Sequence, residues 1–311
     1  MRAGTHLPVM PDEVLQGLAI RQDGIYIDGT FGRGGHSRII LDALGADGRL
    51  LALDKDASAV TSNAAAALQD DARFEIEQAS FASLAEIVRR RGWLGEVAGV
   101  LMDLGVSSPQ LDQPERGFSF LKDGALDMRM NVNQGITAAQ WLADVSEQEL
   151  ALVLKQYGEE RFARRIARAV IERRAIEPIA TTRQLAELIE QTVPVRAKNR
   201  HPATRCFQAI RIVINQELDD LKKALEQAVT ILKPGGRLVV IAFHSLEDRI
   251  VKRFFRDEAQ GGRFPRGLPV PVDAYRPRLK LTGKAQRAGD REVAANIRAR
   301  SAVLRIAERL P

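Results

Sequence analysis

The sequence predicts an α/β chain in which a mostly parallel, doubly wound sheet is interrupted by a mostly helical insertion. Three observations lead there. Short apolar runs alternate with helix-like segments from Ile25 to Leu104, the spacing of strand–helix–strand units. Val97 to Leu104 is a near-continuous apolar run, as in a strand buried on both faces. After Pro114 the alternation gives way to helical periodicity, and a buried-strand run returns only at Arg237.

In order along the chain, Ile25–Asp28 reads as a first strand ending in the glycine-rich turn Gly29 to Gly35. Ser37 to Leu44 reads as a helix, Arg49 to Asp54 as a strand and the Ala-rich Ala57 to Leu68 as one helix. Phe74 to Ile76, Leu84 to Arg91 and Val97 to Leu104 follow as strand, helix and strand. Gly117 to Asn133 has turn chemistry without a period, and helical periodicity dominates from Ala138 to Asn215. Glu217 to Leu232 is an amphipathic helix stopped by Lys233-Pro234-Gly235-Gly236, and Arg237 to Phe243 is a strand. Gly261 to Pro271 is expected as a surface loop, with strand character again at Arg278–Leu281 and Ser301–Ala307. The expected division is a core of residues 1–112 and 213–311 around an insertion of residues 113–212.

Composition narrows the class. An apolar fraction of 45% with 28% charged residues is that of a chain with a packed core. The single cysteine, Cys206, excludes an internal disulfide and suits a reducing compartment. Four histidines and one cysteine, far apart, give no zinc-type ligand spacing, so no metal is expected. No stretch approaches the ~20 apolar residues of a membrane span, and a soluble, cytoplasmic protein is expected. From Arg249 to Arg309 there are 16 Lys or Arg against 6 Asp or Glu, an excess of ten; with +6 overall, the remainder is slightly acidic. That asymmetry favours a polyanionic partner.

Asp28 to His36 follows a strand and precedes a helix, where glycines let the backbone approach a ligand. The turn opens with an acid, departs from G-x-G-x-x-G and lacks a Walker-type lysine. It therefore suits a nucleoside ligand without phosphates, such as S-adenosylmethionine, whose sulfonium and amino group an acidic strand end can accommodate. Asp54 ends the second strand, where a carboxylate accepts ribose hydroxyls. Ser80-Phe81 follows the third strand, with Phe81 placed to stack on adenine or to serve the core. Asp103 ends the fourth, at the edge where doubly wound sheets bind ligands. These features favour S-adenosylmethionine over a dinucleotide.

Longer motifs carry a family resemblance. They are His6 with Pro8-Val9-Met10, Asp28 to His36, Asp103 to Gln110, Glu115 to Phe120, Leu126 to Met130, Tyr157 to Glu160, His201 to Arg205, Phe243 to Arg249 and Arg298 to Ser301. In these the chain resembles the bacterial ribosomal RNA small-subunit methyltransferase H family (RsmH, MraW) over nearly its whole length. The resemblance implies a Rossmann-like class I methyltransferase core and methylation of the N4 amino group of a decoding-centre cytidine in 16S rRNA. It also implies cofactor contacts at Gly34, Gly35, His36, Asp54, Phe81, Asp103 and Gln110.

The N4 amine is a weak nucleophile because its lone pair is delocalised into the ring, so it needs an acceptor that draws on its N–H. Asp103, Ser107 and Ser108 are the candidates, with Asp103 also a candidate for holding the cofactor. Cys206 is far from the fourth strand in sequence and reads as structural. For RNA, Arg161 and Arg165 lie with Arg164 and Arg168 on one helical face. Arg196, Lys198, Arg200, His201 and Arg205 form a second basic cluster. His244 follows the fifth strand, where substrate contact and a capping turn are alternatives, as packing is for His201. Competing readings are a methyltransferase for another RNA or DNA, a ribosome assembly factor and, more distantly, a dehydrogenase. The sequence leaves the oligomeric state open, a homodimer included.

Overall fold

The computed structural model describes residues 8–194, 201–261 and 276–311. The chain divides into two compact units, Met1–Gly105 with Leu218–Pro311, and Val106–Glu217. The expected insertion was residues 113–212. The helical unit starts directly after Gly105, at φ 104°, and ends one residue past Gln216, at φ 54°, which caps a helix.

In the sheet unit, β1 (Ile25–Asp28), β2 (Arg49–Asp54), β3 (Phe74–Gln78), β4 (Val97–Asp103) and β5 (Leu232–Ala242) run parallel in the order β3-β2-β1-β4-β5. The tail adds β6 (Leu279–Leu281), β7 (Gln286–Arg287) and β8 (Val303–Arg309), all antiparallel: β8 pairs with β5, and β6 and β7 pair with β8. This is a Rossmann-like sheet. Its strand order reverses between β1 and β4, and the carboxyl ends there form the usual ligand crevice.

Strand alternation makes two cores from one sheet. Leu51, Leu53, Val100, Met102, Leu238 and Val240 face one side, covered by α5 (Leu84–Arg90), α12 (Glu217–Ile231) and α13 (Ser245–Ala259). Leu50, Ala52, Leu101, Val239 and Ile241 face the other. There they meet α1 (Pro11–Leu18), α2 (Gly35–Ala43), α3 (Ala57–Val60) and α4 (Asn63–Gln69). Both faces being apolar, the strands read as continuous hydrophobic runs, which is why the sequence shows them plainly.

The structure corrects several details. The helix expected over Ala57–Leu68 is two, because Ser62 takes an extended conformation and its Oγ accepts from Ala65 N at 3.2 Å, restarting the helix at a new cap. β5 begins at Leu232, so the Lys233–Gly236 turn lies within the strand's span. The last strand is Val303–Arg309, with the short helix α14 (Asp290–Ala295) ahead of it. The expected loop Gly261–Pro271 lies, beyond Gly261, outside the described residues. No described helix is long and apolar enough to cross a membrane.

The helical unit contains α6 (Ser108–Asp112), α7 (Ala138–Asp144), α8 (Glu147–Gln156), α9 (Ala163–Arg174), α10 (Thr182–Thr192) and α11 (Ala203–Asn215). The long helical periodicity is broken where the sequence places S/T-x-x-E/Q: Thr137 with Gln140, Ser146 with Glu149 and Thr181 with Gln184. Trp141, Leu150, Leu154, Ile166, Val170, Leu185, Ile189, Phe207 and Ile210 form its own core. The aperiodic segment before α7 is held by Asn215. Its Oδ1 accepts from Met130 N at 2.7 Å, and its Nδ2 donates to Met128 O at 2.8 Å and Arg211 O at 2.9 Å. Met128, fully buried, sits at φ 63°, a left-handed conformation that a side chain adopts only when its surroundings hold it there.

Asn215→Ala strips these bonds from buried groups and should lower stability by about 2–4 kcal/mol in urea unfolding. A loss under about 0.5 kcal/mol, the level of an ordinary surface substitution, would show that Asn215 does not hold the segment.

Candidate active site

Three acids stand at the carboxyl ends of adjacent strands: Asp28 on β1, Asp54 on β2 and Asp103 on β4. The turn after β1 is threaded between them by backbone hydrogen bonds. Gly29 N donates to Leu101 O at 2.8 Å and Phe31 N to Leu53 O at 2.8 Å, tying the turn to both neighbouring strands. Gly32 N donates to Asp54 Oδ2 at 2.7 Å, and Asp56 N to Asp54 Oδ1 at 2.8 Å. Thr30 Oγ1 accepts from Asp103 N at 2.7 Å. Gly34 closes the turn at φ 72°, and a Cβ there would fall 2.8 Å from the Phe31 ring, so conformation and space both require glycine. A Cβ on Gly29 would come within 3.4 Å of Phe81 Cβ, which puts Phe81 directly against the turn.

Asp28 differs from its expected role. It is fully buried, accepting from Ser37 Oγ at 2.7 Å and Thr30 N at 3.1 Å. Burial raises its pKa. It locks the turn to the start of α2 rather than meeting a cationic ligand. Burial also pushes Asp54 up to about 6, against the amides of Asp56 and Gly32, which favour its ionised form. Asp103 is different again. Its Oδ1 is buried with no hydrogen-bond partner, and both ring nitrogens of buried His36 are in the same condition. His36 Nε2 lies 3.4 Å from Asp103 Oδ2, near enough for charge attraction though not in hydrogen-bond geometry. Burial works against protonating His36, but the carboxylates of Asp103, Asp28 and Glu292 outweigh it and its pKa is raised. Buried polar atoms are almost always satisfied, so this orphaned pair at the switch point is what a polar ligand would complete.

Two residues that sequence reading missed brace the far side of the site. Asp220 Oδ2 on α12 receives Lys55 Nζ and Ser80 Oγ, both at 2.9 Å. Gln227, two turns further along the same helix, accepts from Ala85 N at 2.7 Å and donates to Ala82 O at 2.6 Å. Together they fix the segment carrying Phe81, whose ring packs partly against the apolar core. Their partners are about 140–165 residues distant, so no local signal could reveal them.

Ser107, Ser108 and Gln110 belong to the helical unit, where buried Gln110 accepts from Ser107 N at 2.9 Å through Oε1. Arg161, Arg164, Arg165 and Arg168 are exposed at or on α9, with Arg161 over the Phe162 ring at 5.3 Å. Arg205 donates to Glu159 O at 3.2 Å. His201 stacks on Phe120 at 4.6 Å, and its Nδ1 accepts from Ala203 N. His244, rather than Ser245, is the N-cap of α13, with its side chain accepting from Glu247 N. Arg196, Lys198 and Arg200, like His6, lie outside the described residues. Cys206 is a fully buried free thiol in the helical core, and burial pushes its pKa up.

A family model described as the MraW methylase family matches residues 3–310. The chain belongs to this family. It is 59% identical over 309 residues to "Ribosomal RNA small subunit methyltransferase H" of Thioalkalivibrio sulfidiphilus, covering 99% of this chain and 98% of that one. The same-named protein of Methylococcus capsulatus is 59% identical over 300 residues, covering 96% and 99%. An S-adenosylmethionine-dependent O-methyltransferase structure from Thermotoga maritima aligns at TM-score 0.42 and 10% identity, covering 99% of this chain and 68% of that one; that likeness by itself establishes nothing. As a family member the chain is a methyltransferase, and its methyl donor is S-adenosylmethionine. The site fits that donor: an acidic acceptor and a histidine with unmet hydrogen bonds at the crevice, a second acid at the neighbouring strand end and an aromatic ring beside the turn.

The raised pKa of Asp54 has a measurable sign. A carboxyl whose folded pKa of about 6 exceeds its ordinary 3.8 stabilises the fold in its protonated state, and that contribution disappears as pH rises through 6. In ligand-free protein, the stability of wild type relative to Asp54→Asn should fall by about 2 kcal/mol between pH 4 and pH 7 in urea titrations. A difference that stays flat with pH would mean that burial does not perturb Asp54.

Proposed function

We propose that this methyltransferase modifies the N4 amino group of a decoding-centre cytidine in 16S rRNA of the small ribosomal subunit. The observation that carries the reading is the orphaned acceptor Asp103 Oδ1 beside the equally unsatisfied His36 at the switch point of the sheet. Near-identical length and 59% identity to proteins named for small-subunit rRNA methylation support the substrate class.

When bound, S-adenosylmethionine supplies an electrophilic methyl group on a positive sulfonium. Gly34, Gly35 and His36 hold its methionine part, where the free amides opening α2 and a histidine held toward its charged form suit a carboxylate. Asp54 accepts from the ribose hydroxyls, and Phe81, fixed by the segment that Asp220 and Gln227 brace, flanks the adenine. Asp103 accepts an N–H of the target amine, which localises the nitrogen lone pair and aims it along the line of attack. The proton passes to the Asp103 carboxylate, and from there to solvent, after the methyl is transferred, because the alkylated nitrogen is strongly acidic. Ser107 and Ser108 remain candidates for orienting the amine by their sequence position after the fourth strand, and Gln110 enters on the family resemblance.

Ring-carbon methylation would call for a thiolate, and Cys206 is buried with a raised pKa. The exposed arginines just before and along α9, including Arg161 and Arg165, are the RNA contacts we favour in the helical unit, in keeping with RNA recognition there; Arg196, Lys198, Arg200 and Arg205 join them by charge. His201 and His244 already carry packing and capping roles. The target base must leave its stack to reach the donor, and the cytoplasm, where bacterial subunits are assembled, is the setting.

Transfer from labelled S-adenosylmethionine to small subunits isolated from cells lacking this enzyme tests the reading. Label is expected in N4-methylated cytidine. Label in another nucleoside would remove the cytidine assignment, and no transfer despite donor binding would favour an assembly factor. Asp103→Ala should lower kcat by at least about a hundredfold with the circular dichroism spectrum unchanged; full activity in that variant would take Asp103 out of the mechanism.

A further inference from the structure

The chain between β7 and β8 is fixed tightly to the sheet unit yet presents cations to solvent. Strand register locates it. Asp103 pairs with Ile241, Ile241 with Leu304, and Leu304 with Gln286. Gln286 therefore lies in the same row across the sheet as Asp103, three inter-strand steps away, or roughly 14 Å at ~4.8 Å per step. Arg287 is opposite Val303, which pairs with Ala242, the last residue of β5. β7 thus sits at the carboxyl edge, where the methyl-donor site is. Lys280, by contrast, pairs with Glu308, in the row of Arg237 at the other end of β5.

Two further anchors hold this segment. Glu292 on α14 accepts from Met10 N at 2.7 Å, and its charge acts on His36. Ala299 and Ala302 are fully buried in the core that also contains Met10 and Val14. The segment is a fixed rim rather than a free tail.

Residues 284–301 contain five Lys or Arg and two Asp or Glu. Arg287, Arg291 and Arg300 are exposed, and no described residue pairs with any of them. Glu292 is occupied by the Met10 amide, so Asp290 is the only exposed acid of the stretch. Elsewhere in the same unit arginines have clear structural work: Arg278 grips Glu258 and Arg305 grips Asp248, each through two hydrogen bonds. Unpaired arginines held on a rigid rim beside a methyl-transfer site are complementary to a polyanion, and their planar forks match phosphate oxygens.

We propose that Arg287, Arg291 and Arg300 form a phosphate-contact rim that holds the RNA backbone flanking the target nucleotide. This rests on the RNA substrate assigned above, and the experiment separates the two. Methyl transfer to donor-strain small subunits is measured for wild type, for the triple Arg→Glu variant and for the triple Arg→Lys variant at several salt concentrations, alongside calorimetric binding of S-adenosylmethionine.

The rim predicts that the glutamate variant raises KM for the subunit about 10- to 100-fold while donor affinity stays within about twofold. The salt dependence of its kcat/KM should lose about 0.7–0.9 in log–log slope per arginine. The lysine variant, which keeps the charge, should recover most of the activity. Wild-type KM and slope in the glutamate variant would overturn the rim while leaving the RNA reading intact. Loss of donor affinity in both variants would also overturn it, by making these arginines structural. Failure of wild type itself to transfer would remove the RNA reading and the rim together.

Discussion

Three carboxylates converge at the edge of one parallel sheet, and the glycine turn after β1 is bonded to all three residues: Thr30 N and Gly32 N donate to Asp28 and Asp54, and Thr30 Oγ1 accepts from the Asp103 amide. Asp28, Asp54 and Asp103 repel one another and lose hydration on burial, effects that raise the pKa values of Asp28 and Asp54. The turn answers each differently. Asp28 is saturated by Thr30 and Ser37, and Asp54 receives two backbone amides. Asp103 is fastened only through its backbone, with one carboxylate oxygen left unsatisfied. Three chemically identical side chains are thereby left in three states: one saturated within the fold, one held by two backbone amides and one with an unmet carboxylate oxygen at the strand end.

That division depends on tertiary structure far from the turn. Without the crossover that brings β4 beside β1, the Thr30–Asp103 bond does not exist. Without α12, the segment carrying Phe81 has nothing to hold it, since Asp220 and Gln227 provide its polar contacts from the opposite part of the chain. The antiparallel β8 extends the sheet beyond β5, and Glu292, in the segment between β7 and β8, ties down the residue before α1 by accepting from Met10 N.

The parallel sheet was readable because strands buried on both faces are continuous apolar runs, and Asp54 and Asp103 were readable because they end such runs. The glycine turn up to His36 and Phe81 after the third strand were likewise singled out by position, and the family resemblance implied cofactor contacts for them. What escaped was anything defined by distance in sequence: Asp220, Gln227 and the α14–β7 segment have no local pattern that marks them. Asp28 was visible but misassigned, because one acid at a strand end looks like another until its hydrogen bonds are known. For His201 and His244 the sequence left packing and a capping turn open beside substrate contact; ring packing on Phe120 and the cap of α13 are what the structure places there. Helix breaks at Ser62, Ser146 and Thr181 follow from capping chemistry that periodicity alone overrides.

On the proposed function, Asp54 and Asp103 at this edge face the ligand while Asp28 locks the turn, and the binding of the methyl donor tests this most directly. Calorimetric titration of S-adenosylmethionine into the protein from pH 5 to pH 8 should show affinity falling below about pH 6, where Asp54 takes up its proton, by up to about one decade per pH unit. Asp54→Asn should bind more weakly at pH 7 and lose that pH dependence. Wild-type affinity that does not change across pH 6, or an asparagine variant that binds as tightly as wild type, would contradict the account.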